Sequence, residues 1–519
     1  MTPFCKKLII FFFVCSLFPL AHGNAASFSG NLPERDAVAT PVTMQQTFAT
    51  NPVRAGSNIT VTEDEESAAD DNILNGYHLA VNNELPIPPD DQAIPPDSAD
   101  DILNVYKLAI QNDPQFRGAD NEQKALRESL SQAYARWMPE ITGEVLYGRI
   151  SQNIKESSNP VYAKGDSQYS SGTYTLKATQ HLFNWTLFLD VSQAKNLRKR
   201  AGIDLESSKQ DLILRVVQAY FTALASKESL AFAQAEKKDI EALHERATVK
   251  YQSGIAPVSD LYDARARLAL SEAQVSKAEN DYHDALQGLQ EICNKKFTEL
   301  KNLQDKLPME MPVPDDAEHW VQMGLDRNLK LKIEQFNNKV AQIEVGRQRA
   351  GHYPSLDVVG RVYREDTSGS LFGGGSVVDT EDVMLQLSVP IFAGGLVRSK
   401  TKEAKARSLA ADESVERQRR AVIRQVKAAY EGIKTSTRRA EALEKSIESL
   451  SNVLAAKQQG YRSGVNTSLA VLDASRDLYL SRRDYAQSRY DYVFNTLRLK
   501  QVMGILSDDD LVIINKWLR

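Results

Sequence analysis

The sequence predicts an α+β chain made of two similar halves, each with a β-hairpin and a pair of very long helices. Three observations carry this. Tyr251-Gln252-Ser253-Gly254, followed by Asp263-Ala264, Leu268, Leu270 and Ser271, recurs 210 positions later as Tyr461-Arg462-Ser463-Gly464 with Asp473-Ala474, Leu478, Leu480 and Ser481. Self-similarity at so long a period marks a repeated structural unit. Four stretches alternate apolar and polar residues with period two, as strands with two unlike faces do. Proline is missing from 190–252 and again from 397–459. At 1.5 Å per residue each stretch allows a helix on the order of 95 Å long.

Composition narrows the class. The 519 residues are 42% hydrophobic and 25% charged, with a net charge of −5. That balance, with no basic patch interleaved with aromatics, argues against a dedicated nucleic-acid binder. Lys6 and Lys7, the apolar run from Leu8 to Leu20 and Ala21-His22-Gly23 read as a cleaved secretory signal over 1–23. Cys5 and Cys15 leave with it. Cys293 is then alone and cannot close an intramolecular disulfide. After the signal no stretch nears the roughly 18 apolar residues of a spanning helix.

Residues 24–98 read as an acidic, proline-rich linker that buries too little apolar area to order itself. Within it, 73–81 nearly repeats 102–110 (Ile-Leu-Asn-x-Tyr-x-Leu-Ala). This is either a local duplication or a decoy of the first helix. The first repeat is placed at 99–301, with a helix from about Asp101 to Arg136, a β-hairpin over 139–183 and a helical hairpin over 190–293. The second is placed at 302–519, with a helix from about Ala317 to Ala350, a β-hairpin over 354–392, a helical hairpin over 397–503 and a short tail. Met138-Pro139 and Tyr353-Pro354 end the opening helices, because proline cannot continue one. Tyr174, Leu176, Ala178 and Leu182 form one strand face, and Val383, Leu385, Leu387 and Val389 another. Each strand is expected to be about ten residues long, a length suited to a tilted bilayer crossing. The loops between them are expected at about 151–168 and 365–381; Gly373-Gly374-Gly375 reads as a flexible loop tip. A soluble four-stranded sheet packed on the helices is the alternative. Four strands cannot close a membrane barrel, and an open edge in lipid is prohibitively costly. Strands that enter a membrane therefore require several chains, and three chains give twelve strands.

At this point the chain resembles the TolC family of outer-membrane exit ducts. The resemblance rests on Leu103-Asn104-Val105-Tyr106 through Asn112-Asp113-Pro114, on Met138-Pro139-Glu140-Ile141 and Tyr353-Pro354-Ser355-Leu356, on Leu182-Phe183-Asn184-Trp185 with Val389-Pro390-Ile391-Phe392-Ala393-Gly394-Gly395, and on Gly460-Tyr461-Arg462-Ser463-Gly464 with Val471-Leu472-Asp473-Ala474. It covers about 99–515. It implies a homotrimer in the outer membrane, with a twelve-stranded β-barrel surrounded by outer-membrane lipid and a periplasmic twelve-helix α-barrel. An equatorial layer would form from about Asn294 to Leu331 and both termini. It further implies a passive duct for efflux or type I secretion, a periplasmic adaptor, and an inner-membrane ABC exporter or proton-driven pump. No enzyme is expected: the histidines lack ligand spacing, and no nucleophile, metal or cofactor motif is present. The competing reading is a soluble periplasmic coiled-coil adaptor or structural protein, which would lack two matched hairpins.

Two sets of candidate residues follow. Ser253, Gly254 and Ile255, with Ser463, Gly464 and Val465, occupy the helical turns, where glycine tolerates φ > 0; the resemblance makes them adaptor-docking tips. Asp260 and Asp263 are three apart, hence on one helix face, and Asp473 is the counterpart of Asp263. In a trimer each carboxylate becomes a ring of three that favours cations. The resemblance adds Tyr461, expected to reach Asp260, and Asn466 to this gate. The chain departs from the family pattern at Ala470, often acidic in the family, and at Asn466, where an arginine is found.

Overall fold

The computed structural model describes residues 100–519 apart from 157, 159–164, 256, 305–306, 371–373 and 464. The signal at 1–23, the linker at 24–98 with its 73–81 repeat, Gly373 and Gly464 lie outside the described residues.

The first repeat opens with α1 (Ile102–Asn112) and α2 (Pro114–Ala135). Where one helix was expected there are two, because the local chemistry dictates a break. Pro114 has no N–H to donate and is suited to the first helical position. Asp113 ends α1 and its carboxylate accepts the Phe116 N–H at 2.7 Å, capping α2. The hairpin β1 (Glu140–Ile154) and β2 (Gly165–Asn184) follows. It leads into α3 (Trp185–Gln252, 68 residues) and α4 (Val258–Cys293, 36 residues). The second repeat runs through α5 (Ala317–Arg327), α6 (Leu329–Arg349), β3 (Ser355–Thr367), β4 (Ser376–Ser388), α7 (Leu396–Arg462, 67 residues) and α8 (Ser468–Val502, 35 residues). It breaks at Asn328, whose side chain caps α6 by accepting the Leu331 N–H at 2.8 Å. A short α9 (Asp508–Asn515) closes the chain.

The four strands form one antiparallel sheet in the order β1-β2-β3-β4. They run to 15, 20, 13 and 13 residues, longer than the ten expected. Pairing continues into stretches whose polar composition reads as loop: Asn153 stands opposite Asp166, and Thr367 opposite Ser376. Arg149 donates to Gln168, and Arg364 makes a bidentate pair with Asp379 at 2.7 and 2.8 Å. A bulge lies between His181 and Phe183, so that Phe183, not Leu182, stands opposite Leu356.

The long helices form a wall. α3 packs against α2 and α4 on the one hand and α6 and α8 on the other, while α7 packs against α6 and α8. The main hydrophobic core lies in the middle of the rods, not at their ends. It joins Ile102, Val105, Tyr106 and Ala109 of α1 to Leu212–Leu224 of α3, Leu289 and Cys293 of α4, the end of α8, and Leu511 and Ile514 of α9. Both ends of the described chain reach this core. Asp100 bridges to Leu300, Leu303 bridges to Leu518, and Tyr220 donates from its hydroxyl to the Lys301 carbonyl at 2.8 Å. Cys293 is a free, buried thiol that donates to the Val105 carbonyl. Burial pushes it up to about 12, so it is inert as a nucleophile at neutral pH.

Candidate functional site: the sheet faces and the two helical turns

The register divides the sheet into two unlike faces. One carries Ile141, Val145 and Tyr147, then Tyr174, Leu176 and Ala178, then Leu356, Val358 and Val362, and finally Val383, Leu385 and Leu387. None of the described residues covers it: Val145 is 67% and Leu385 66% exposed. The other face carries Thr142, Lys177, Arg361 and Asp382 in a single row, with Arg361 and Asp382 paired at 3.1 Å. His181 meets Asp357 on this polar face at 2.7 Å. The outer sides of β1 and β4 have no strand partner among the described residues. Where the strands meet the helices, aromatic rings cluster. Phe188 contacts Trp137 at 4.5 Å and Trp185 at 5.8 Å, and Trp185 meets Tyr353 edge-on. Ile391 and Phe392, between β4 and α7, are almost fully exposed.

At the far end of the rods the two repeats make the same turn. Ile255 N–H donates to the Lys250 carbonyl at 2.9 Å, and Val465 N–H to the Gly460 carbonyl at 2.8 Å. This is the six-to-one bond of a helix that ends in a left-handed residue, and Gly254 has φ +70°. Ser253 and Ser463 each return a hydroxyl to the carbonyl four residues back. Ile255 and Val465 occupy equivalent places and are 76% and 81% exposed, two apolar side chains held out at the tips. Asn466 differs. Its backbone also donates to Gly460, and its amide occupies the space that a Cβ at Gly460 would fill.

Asp260, Asp263 and Asp473 are exposed in the first turns of α4 and α8. Both helices pack on α3, and no hydrogen bond or ion pair seen among the described residues joins Asp473 to Asp260 or Asp263. The departure at Ala470 has a local cause. Pro257 precedes α4 without a side-chain cap, and Asp260 lies in the first turn, where a carboxylate complements the helix dipole. Before α8 that role is taken by Thr467, whose hydroxyl accepts the Ala470 N–H at 3.2 Å.

Tyr461 does not meet Asp260 within the protomer; its ring lies under the Arg246 guanidinium, 5.7 Å away. Arg246 belongs to a set that sequence reasoning missed. Ser475 donates to Asp239 at 2.8 Å and Arg476 pairs with Glu236 at 3.8 Å, so α3 is tied to α8 above the tip. A groove of about 570 Å³ between these helices is lined by Leu243, Arg246, Tyr461, Ser468 and Leu472. The repeat held the signal. The positions of α7 equivalent to Glu236, Asp239 and Arg246 are Ser446, Ser449 and Ala456, so of these two helices only α3 carries charges at those positions.

Among the described residues no cluster of His, Cys, Asp and Glu could hold a metal ion. None of the described helices is long and apolar enough to cross a membrane.

Comparison with known proteins agrees with this geometry. The family model "Outer membrane efflux protein" matches residues 105–295 and 320–505, one stretch in each repeat and together more than half of the chain. The outer membrane protein TolC of Vibrio cholerae is 27% identical over 423 residues, covering 81% of this chain and 94% of that protein. The alkaline protease secretion protein AprF of Pseudomonas aeruginosa is 26% identical over 415 residues, covering 80% and 86%. Among solved structures, the CmeC outer membrane channel of Campylobacter jejuni superposes with a TM-score of 0.68 at 18% identity, covering 80% of this chain and 90% of that one, a likeness of fold. With both repeats matched in order, the chain belongs to the outer membrane efflux protein family.

Proposed function

We propose that three copies of this chain form a passive duct through the outer membrane and across the periplasm, for efflux or type I secretion. The observation that carries this reading is the four-stranded sheet with one uncovered apolar face, one polar face and two unpaired edges. In lipid such edges are tolerated only if a neighbour pairs with them. Three copies, β4 of each against β1 of the next, make a twelve-stranded barrel with lipid outside and the Lys177–Arg361–Asp382 row inside. The aromatic cluster at the strand ends is placed as a membrane-interface belt would be. Names among the relatives support both transport modes: AprF is a protease secretion protein, and a solvent efflux pump outer membrane protein of Pseudomonas putida is 22% identical. The chain supplies no energy source, so an inner-membrane ABC exporter or proton-driven pump drives transport. A periplasmic adaptor docks on Ser253-Gly254-Ile255 and Ser463-Gly464-Val465, with Ile255 and Val465 as its apolar contacts.

Outer-membrane fractions run on gels without heating test this reading. A species of three times the chain mass that collapses to monomer on boiling is expected; a monomer in the soluble fraction overturns it.

In the same reading the gate lies at the tips, formed by Asp260, Asp263 and Asp473 with Tyr461 and Asn466. Rings of three carboxylates at the narrow end admit cations and repel anions. Asp473→Ala is expected to lower cation selectivity and relieve block by divalent cations in planar-bilayer recordings. Unchanged selectivity and block would remove Asp473 from the gate.

A further inference from the structure

The helices carry their charge unevenly, and the uneven part lies just below the sheet. The first turns of α3 hold Lys195, Arg198, Lys199 and Arg200 against Asp190 alone. Farther along, from Glu236 to Glu245, the same helix holds four carboxylates against Lys237 and Lys238. α7 begins with Arg398, Lys400, Lys402, Lys405 and Arg407 against Glu403. The few carboxylates here are already engaged: Asp190 by Arg136 and Arg347, Glu344 by Arg347, and Glu403 by Arg407. Lys199, Lys400 and Arg349 are exposed and have no ion-pair partner among the described residues. A chain of net charge −5 thus concentrates uncompensated cations in one collar.

Helical spacing fixes which way part of this collar faces. Trp185, Phe188, Lys195 and Lys199 follow one another at steps of three, seven and four, so they share a face of α3. Leu396 and Lys400 do the same on α7. The aromatic residues of these stripes are exposed and belong to the cluster at the strand ends. The cations therefore lie on the side that the apolar belt presents outward, one step farther from the sheet. Lys195 is seven residues below Phe188, about 10 Å along the axis. A lysine arm of roughly 6 Å can turn back over more than half of that distance and leaves about 4 Å to the belt. Its ammonium then reaches a headgroup layer about 5–8 Å thick. Lys195 already leans across the Tyr134 ring, 6.0 Å from its centre.

We propose that this collar binds the acidic phospholipids of the periplasm-facing leaflet. Lys195, Lys400 and Arg349 hold lipid phosphates under the aromatic belt, which fixes the depth of the sheet in the membrane, and Lys199 one turn below adds its charge from within about a Debye length. The proposal rests on the duct reading. It selects among lipids by charge complementarity, since zwitterionic headgroups offer the same apolar contact to the belt but no net charge to the collar.

The full-length protein, reconstituted into phosphatidylethanolamine vesicles with or without phosphatidylglycerol and then re-extracted, tests it through the lipid that stays bound. The wild type is expected to enrich phosphatidylglycerol over its share of the vesicle on the order of fivefold, an enrichment that salt diminishes. Lys195→Gln, Lys199→Gln and Lys400→Gln combined are expected to abolish the enrichment while the protein still inserts and conducts. Insertion without enrichment, or enrichment that survives the triple change, overturns the proposal. Failure of the wild type to insert into either vesicle overturns the duct reading, and this inference with it.

Discussion

Leu385→Arg is expected to abolish assembly in the membrane while leaving the helical wall folded. Leu385 is the tenth of the 13 residues of β4 and the middle one of the apolar series Val383, Leu385 and Leu387, on the uncovered apolar face, opposite Val358. An arginine facing lipid near the bilayer midplane costs about 2–4 kcal/mol in outer-membrane barrels. On the proposed trimer each barrel carries three such residues, so the cost per assembly reaches roughly 6–12 kcal/mol, enough to prevent stable insertion. The neighbouring Gln386→Arg faces the polar side and is expected to assemble normally. Heat-dissociable trimer in the membrane fraction is the readout. Equal assembly of the two variants would mean that this face does not meet lipid.

Asp113→Ala is expected to produce the largest loss of stability in the helical region. Asp113 is 2% exposed. Its carboxylate meets the Arg215 guanidinium with two bonds, at 2.9 and 2.6 Å, while capping α2. Removing one partner of a buried pair leaves the other charged and unpaired, at about 3–5 kcal/mol. Burial pushes the Asp113 carboxyl up, but Arg215 and the N–H groups of Phe116 and Gln115 outweigh it and hold the group below its ordinary 3.8. The sign follows: this contribution is fully present above pH 3.8, and is lost as pH falls through the lower, folded-state value. Thermal unfolding followed by circular dichroism is expected to show a lower Tm at neutral pH for Asp113→Ala, with the gap to wild type narrowing only in strong acid. A constant gap down to pH 2 would rule the pair out as the source.

The sequence revealed most where one physical rule dominated. Long proline-free stretches had no alternative to helix, and period-two alternation marked the strands in their apolar halves. It misled where two rules competed. Asn153, Asp166 and Gln168 read as loop because polar residues usually do, yet they extend the hairpin: Asn153 stands opposite Asp166, and Gln168 accepts from Arg149. The break at Asp113-Pro114 was written in cap chemistry, but Met138-Pro139 reads as the end of a single helix that begins near Asp101. Leu182 followed the alternation until a bulge reset the register at Phe183. At the tips, the residue types were legible, but their partners were not. Tyr461 meets Arg246 of α3, and a contact across 215 positions leaves no local pattern.

The β2–β3 seam joins the two repeats within one chain, just as β4 and β1 of neighbouring copies would join across chains. Six half-length units would need five association steps to close such a ring, each losing translational and rotational freedom worth an estimated 4–15 kcal/mol. Three fused units need two. Fusion also frees the halves from having to be identical. A six-fold ring must present one kind of turn six times. A three-fold ring of fused pairs alternates two kinds, and mutation can then alter one without touching the other. Thr467 with Ala470 at one turn and Pro257 with Asp260 at its twin are what that freedom would permit: on the proposed trimer, neighbouring positions on one rim, repeated in the sequence, that differ in charge.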